Sequence, residues 1–335
     1  MGTSKNVTKN FIEEVENRID KALAWDTESS YSDMPTLAAA ARHLCLASGG
    51  KRARPKLAYY FGLSVDSDLD LLADVGVSAE FIHGASLLHD DVIDHGTLRR
   101  GLETVNVKWD NLTAVLAGDL LLAESIKGLH RCPRPVAQEA LDVVAQMTRA
   151  TMLESHIRGS TETTLDQYRY IALGKTAAMF SWCGRSAAFL GKSDEEKQES
   201  IECFGKFGQH FGVAFQMADD LLDLQKLESG KTPFADIRNK NPNHPLILAQ
   251  SLDTGFREKL ESAWQSEDQL LESTIMSLGA HCISTGAASQ TLECIHSEIQ
   301  KALNALGDFK KRPGCREIAA WADTVWKRFR HLEAV

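Results

Sequence analysis

Two short aspartate runs carry the strongest chemical signal in this sequence. LLHDDVID at 87–94 contains Asp90, Asp91 and Asp94 in an otherwise apolar stretch. Asp90 and Asp94 are spaced i, i+4 and so share one helix face. Two like charges about 4 Å apart repel by roughly 4 kcal/mol at an effective dielectric near 20. A segment with only a packing role gains nothing from that repulsion. A divalent cation reverses its sign, and hard carboxylate oxygens with room left for water and phosphate suit Mg²⁺. FQMADDLLDL at 215–224 repeats the D-D-x-x-D spacing with Asp219, Asp220 and Asp223. One such cluster alone also fits a solvated helix end. Two of them, each flanked by apolar residues, fit acidic patches that face each other across a helical bundle and bridge phosphate oxygens through Mg²⁺.

A clamp for metal-bound phosphate also needs fixed cations. GGKRARP at 49–55 places Lys51, Arg52 and Arg54 after a glycine break, and Arg99 and Arg100 follow the first aspartate run. Arginine forks match phosphate oxygens in a bidentate way, whereas lysine acts as a point charge. A basic cluster alone is ordinarily an exposed face; the placement of these beside the aspartates favours a binding role. Lys175, within YIALGKTAAMF, fits either a site or a snorkelling surface lysine. His83 falls on roughly the same helix face as Asp90, two turns earlier, where a lone histidine is ordinarily structural.

The elements that must hold these groups read as helices throughout, with no period-two strand series. Ser67 to Asp70 and Ser193 to Glu196 have the spacing of capping boxes, opening apolar segments over 69–93 and 195–227. GSTETT at 159–164 is a polar break, and 229–245, rich in Pro and Asn, reads as a long loop. The expectation is an all-α, single-domain bundle over 1–335, with the first 25 residues a helix packed outside the core. With 335 residues, 43% hydrophobic and 25% charged, the chain has globular composition, which excludes a disordered or fibrous protein. A net charge of −9 argues against nucleic acid as a partner. No run of about 18 uninterrupted apolar residues predicts a membrane span. The N-terminus lacks a secretory or myristoylation signal, and the seven cysteines are scattered without a C-x-x-C pair. Cytoplasmic localisation is expected.

In combination these motifs resemble the trans-isoprenyl diphosphate synthases, or polyprenyl synthetases. The resemblance rests on GGKRARP, FIHGASLLHDDVIDHGTLRRG, GDLLLAES, YIALGKTAAMF, FQMADDLLD and a GK-containing loop with Asp236, in that order. It runs from about Gly49 to Pro245 and more loosely to the end. It implies an isoprenoid synthase bundle around a deep central cavity, usually homodimeric, that condenses isopentenyl diphosphate head-to-tail with an allylic diphosphate. It further implies that Asp90, Asp94 and Asp219 ligate Mg²⁺, with Asp91, Asp220 and Asp223 in support. Arg99, Lys175 and Lys231 would hold the allylic diphosphate; Lys51, Arg54, His83 and Arg100 would hold isopentenyl diphosphate. Thr176 and Gln216 would lie near the reacting carbons. Product release implies at most a transient membrane contact.

Two departures stand out. DIRNKNPNHP occupies the place of a Gly-Lys-x-Thr-x-Pro run, with Lys240 shifted and no threonine, and Ile157 stands where many relatives have glutamine. Product length is expected to depend on Ala85 and Ser86, small residues where short-chain members carry large aromatics, with Phe81 one turn deeper as either a lower floor or a side chain that points elsewhere. Leu121, Leu122 and Leu141 are expected on the facing wall. This reads as a long, octaprenyl-like product, with a geranylgeranyl-type product as runner-up. A class I terpene cyclase is disfavoured because its second motif is normally of Asn/Ser/Glu type. A non-catalytic partner subunit is disfavoured because both aspartate clusters are intact, and the same motifs disfavour a head-to-head synthase.

Overall fold

Helices follow one another through nearly all of the chain in the computed structural model, which describes residues 2–24, 34–47, 50–224, 233–266 and 270–330. In order they are α1 (Gly2–Ala22), α2 (Met34–Cys45), α3 (Ala53–Val65), α4 (Leu69–Ile93), α5 (Val105–Lys108), α6 (Asn111–Gly128), α7 (Arg134–Ile157) and α8 (Leu165–Ala172). Next come α9 (Ala178–Phe189), α10 (Lys197–Asp223), α11 (Ala235–Arg238), α12 (His244–Leu252), α13 (Thr254–Gln265), α14 (Glu272–Ser284), α15 (Ala287–Ala305) and α16 (Pro313–Arg330). Among the described residues the strands are limited to a hairpin of β1 (Leu98–Arg99) and β2 (Leu102–Glu103), with Leu98 opposite Glu103. The expected all-α class is what the structure shows.

The chain divides into two compact units. One comprises residues 1–144, 182–205 and 308–318; the other comprises 145–181, 206–307 and 319–335. The division falls within α7, α9, α10 and α16 and between Gly307 and Asp308.

The first unit is built on α4. Its residues Leu72, Val75, Phe81, Ala85 and Leu88 are buried, and it packs on α1, α2, α3 and above all α6. By length and composition α4 is apolar enough to cross a membrane, yet 72% of its apolar window is buried inside the protein. That burial is how a core helix uses such a face. Its cap lies one residue later than the sequence suggested: Asp68 accepts from the backbone N–H groups of Asp70 (2.9 Å) and Leu71 (3.2 Å). Ser67 instead donates to the carbonyl of Ala187 at 2.6 Å. The first helix is also placed differently from the expectation. Val15 and Ile19 on α1, and Leu23 just after it, are buried, so this apolar stripe belongs to the core of its unit. Arg18 then ties α1 to the start of α4 through Asp74 (2.6 Å) and Asp70.

In the second unit α10 approaches its neighbours through glycines. A Cβ at Gly208 would lie 2.5 Å from the Phe180 backbone, and one at Gly212 would lie 2.4 Å from Ala177 Cα. Ala177 ends a π-helical stretch, Leu173–Ala177, between α8 and α9. On its other side Gly174 lets α7 come close: a Cβ there would lie 2.9 Å from the Gln146 carbonyl and 2.7 Å from Ala150 Cβ. π-turns are rare and concentrate where a helix must re-aim side chains; this one carries Lys175 and Thr176.

Two boundaries differ from the sequence reading. Ser193 accepts from Glu196 N–H at 3.4 Å, but α10 starts at Lys197 and ends at Asp223. The presumed loop at 229–245 contains the short α11 and the first residues of α12.

Because backbone, not a flexible side chain, occupies the space beside Gly212, Gly212→Ala is expected to lower stability by about 1–3 kcal/mol. A urea midpoint within error of the parent's would show that the α10 contact is slack.

Candidate active site

In the first unit the acidic cluster occupies the last turn of α4. Asp90 is half-buried, Asp91 is buried and Asp94, the helix C-cap, is exposed. Asp91 is committed to the protein: its carboxylate accepts from Arg99 at both oxygens, 2.7 Å to Nη2 and 3.0 Å to Nε. The hairpin that carries Arg99 is itself pinned at Gly96, whose carbonyl accepts from Thr104 Oγ1 (2.7 Å) and Asn106 Nδ2 (3.1 Å). Arg100 follows at φ 53°, a left-handed conformation that turns the hairpin.

Two turns back on α4, His83 sits among cations. Burial holds its imidazole well below the usual pKa, and the charges of Arg54, Arg100, Arg99 and Arg52 push the same way. Its buried Nδ1 has no hydrogen-bond partner among the described residues. Lys51 is exposed, whereas Arg52 is buried and bonded to Glu80 and Glu16. A neutral ring with an orphaned nitrogen, surrounded by guanidinium groups, suits a polyanion.

In the second unit the other acidic cluster ends α10. Asp219 is exposed and Asp220 is buried. Asp220 accepts from Gln216 Nε2 at 2.9 Å and from the His244 backbone N–H at 3.3 Å. Burial first, then the Asp236 charge, raises its pKa. Burial and the Asp220 charge likewise keep the Tyr168 hydroxyl protonated. Gln216, its amide fixed by Asp220, presents its carbonyl oxygen to Thr176 Oγ1 at 2.6 Å. Lys175, beside Thr176 on the π stretch, pairs with Glu154 of α7. Asp223 caps α11, accepting from the N–H groups of Ala235 (2.9 Å) and Asp236 (3.0 Å).

The carboxylate oxygens at both helix ends are the hard donors that Mg²⁺ takes. Among the described residues no three His, Cys, Asp or Glu side chains close a cage of their own. A cation held there would draw further oxygens from water or a ligand, which is the usual Mg²⁺ arrangement.

Comparison with known proteins places this arrangement. A profile of the polyprenyl synthetase family matches residues 34–277. The chain belongs to the polyprenyl synthetase family.

Component 2 of the heptaprenyl diphosphate synthase of Bacillus subtilis is 30% identical over 301 residues, spanning 89% of this chain and 84% of that protein. A geranylgeranyl diphosphate synthase of Mycobacterium tuberculosis is 28% identical, covering 86% of this chain and 82% of its own. A decaprenyl diphosphate synthase from Rhodobacter capsulatus superimposes with a TM-score of 0.86 at 27% identity, covering 97% of this chain and 98% of its own. This polyprenyl synthetase is thus a transferase of prenyl groups.

Several residues that the sequence singled out sit differently in this polyprenyl synthetase. Leu141 is 54% exposed and lines no interior wall, whereas Leu121 is fully buried. Lys231 lies outside the described residues. Lys240 adopts φ 54°, and its Nζ donates to the carbonyls of Trp264 (2.7 Å) and Ser266 (3.0 Å), so it pins the loop to the end of α13. Asp236 receives the side-chain amides of Asn241 (3.0 Å) and Asn243 (2.8 Å). Burial first, then the Asp223 charge, raises its pKa. Ile157 is buried, and its hydrocarbon side chain has no polar group to offer a ligand. Glu80, Glu154 and Tyr168 were missed. Glu80 was within reach of sequence reasoning, because it lies one turn before His83 on α4. The others depend on tertiary packing.

The imidazole resonances of His83 are expected to titrate well below pH 6.5 in the free protein and to move to higher pKa with saturating inorganic diphosphate. A normal titration, or one unmoved by diphosphate, would separate His83 from anion binding.

Proposed function

We propose that this chain condenses isopentenyl diphosphate head-to-tail with an allylic diphosphate and makes a long, octaprenyl-like all-trans product. The observation that carries the reading is the mixed sign of the first unit's site. Half-buried Asp90 and exposed Asp94 end α4, and four arginine charges act on the imidazole of His83 on the same helix. A ligand that is at once polyanionic and bound to divalent cations satisfies both. Asp90, Asp94 and Asp219 are the proposed Mg²⁺ ligands, with Asp91, Asp220 and Asp223 orienting their surroundings. Arg99, Lys175 and Lys231 are proposed for the allylic diphosphate; Lys51, Arg54, His83 and Arg100 are proposed for isopentenyl diphosphate.

Bound Mg²⁺ would supply charge stabilisation to the departing diphosphate. The chain's own groups do the rest. Arginine and lysine donors hold the phosphates where negative charge develops. The Thr176 hydroxyl and the Gln216 carbonyl offer oxygen dipoles to an allylic cation. Asp220 orients the Gln216 amide by accepting from its Nε2 at 2.9 Å, which leaves the carbonyl oxygen for Thr176. Apolar surroundings exclude water, which would otherwise quench the cation to an alcohol. The released diphosphate is the proposed acceptor of the final proton, so no protein base is invoked.

Small side chains at Ala85 and Ser86 favour the long product. Ser86 satisfies its hydroxyl locally, donating to the His83 carbonyl at 2.8 Å. The full burial of Phe81, one turn below Ala85, favours a geranylgeranyl-length product as the second reading. We also propose a homodimer. The exposed apolar residues Leu112, Val115 and Leu116 along α6 support self-association.

Incubation with labelled isopentenyl diphosphate, farnesyl diphosphate and Mg²⁺ tests the activity. Elongated product is expected, and cyclic hydrocarbon or no turnover by folded protein would defeat the reading. Chelation with EDTA is expected to abolish turnover, and Mg²⁺ to restore it. Ala85→Phe is expected to shorten the product on reverse-phase analysis after dephosphorylation. An unchanged product distribution from a folded variant would remove Ala85 as a length determinant.

A further inference from the structure

GGKRARP contains three cations, and the structure separates them. Arg52 is only 7% exposed, while Lys51 beside it is open to solvent. Each guanidinium nitrogen of Arg52 has its own partner. Nη1 donates to Glu80 Oε2 on α4 at 2.7 Å, Nε to Glu16 Oε1 on α1 at 3.0 Å, and Nη2 to the Cys45 carbonyl in the last turn of α2 at 2.7 Å. One planar group therefore references three helices at once. Three of its five N–H donors are held by the protein and the group is buried, so the fork is committed to the fold.

The backbone points the same way. Arg52 holds φ 46° immediately before α3, a left-handed conformation that a residue with a Cβ adopts only when its surroundings fix it. Gly50 supports the turn by lacking a side chain. A Cβ there would lie 3.3 Å from Arg100 Nη1 and 3.4 Å from Arg52 Nη1, so both guanidinium groups close over it. Glu80 sits one turn before His83 on α4, and the charge of Arg54 acts on the His83 imidazole. The Arg52–Glu80 pair thus sets the position of Lys51 and of Arg54, in the first turn of α3, relative to His83.

We infer that Arg52 is a positioning residue that, through Glu80, Glu16 and the Cys45 carbonyl, holds Lys51 and Arg54 in register with His83 to receive isopentenyl diphosphate. The inference rests on the reading of Lys51, Arg54 and His83 as that substrate's site. It also gives α1 a part in the site, since Glu16 is its contribution.

Steady-state kinetics of Arg52→Lys and Glu80→Gln test it, with cooperative thermal melts confirming that each variant folds. Lysine keeps the charge but loses the fork. Displacing two anchors by a fraction of an ångström is expected to raise KM for isopentenyl diphosphate roughly tenfold or more. KM for the allylic substrate and kcat should stay within about twofold, and the double variant should be no worse than the poorer single one, as expected of one coupled pair. An unchanged isopentenyl KM in folded Arg52→Lys, or an equal rise in both KM values, would overturn the inference. If Arg52→Lys does not fold, Glu80→Gln, which keeps the side chain's shape, gives the same reading. Lys51→Ala separates the two claims. If it leaves the isopentenyl KM unchanged, the substrate assignment fails; if it raises that KM while Arg52→Lys does not, only the role of Arg52 fails.

Discussion

Both acidic clusters sit where a helix tolerates them least. The C-terminal turn already carries the negative end of the helix dipole, and a carboxylate there is unfavourable even before it meets a second one. α4 and α10 each place an aspartate triplet in that turn. The surrounding structure answers the problem piecemeal. Arg99 neutralises Asp91, Gln216 and the His244 N–H absorb Asp220, and the start of α11 caps Asp223. What is engaged inside the protein and what stays toward solvent is thereby sorted residue by residue. Asp94 and Asp219 are left as the exposed members of their clusters.

Close backbone packing does the complementary work in the second unit. Glycines at 174 and 212 allow the π-helical stretch to sit hard against α7 and α10, and Gly208 lets α10 come as close to the start of α9. Without that fit the Thr176–Gln216–Asp220 chain of hydrogen bonds would have no fixed spacing. Preorganisation here is therefore a matter of missing side chains as much as of polar ones.

Much of this was legible in the sequence because it rests on local periodicity. The i, i+4 aspartates, the helical class and the polar break before α8 all follow from spacing within one segment. Thr164 and Gln167 form a full capping box at that break. Features that depend on tertiary contact were not legible. Ser67 and Asp68 are both good caps by type, and only the carbonyl of Ala187, far away in sequence, decides that Ser67 is occupied elsewhere. Arg52 reads as one more cation in a basic run until Glu80 and Glu16 are placed beside it. Leu141 belongs to an apolar helical pattern, but its side of α7 is exposed. The short α11 escaped notice because a single turn flanked by Pro and Asn has no periodicity to detect.

The bonds from Asp223 to the backbone of Ala235 and Asp236 are joined by one from the Phe234 N–H to the Asp223 carbonyl, at 2.9 Å. Together they staple the entry and exit of the connection between α10 and α11 at a single residue. The end of α10 and the start of α11 are therefore held together by their own bonds, like the two halves of a clasp, and their spacing does not depend on the covalent link between them.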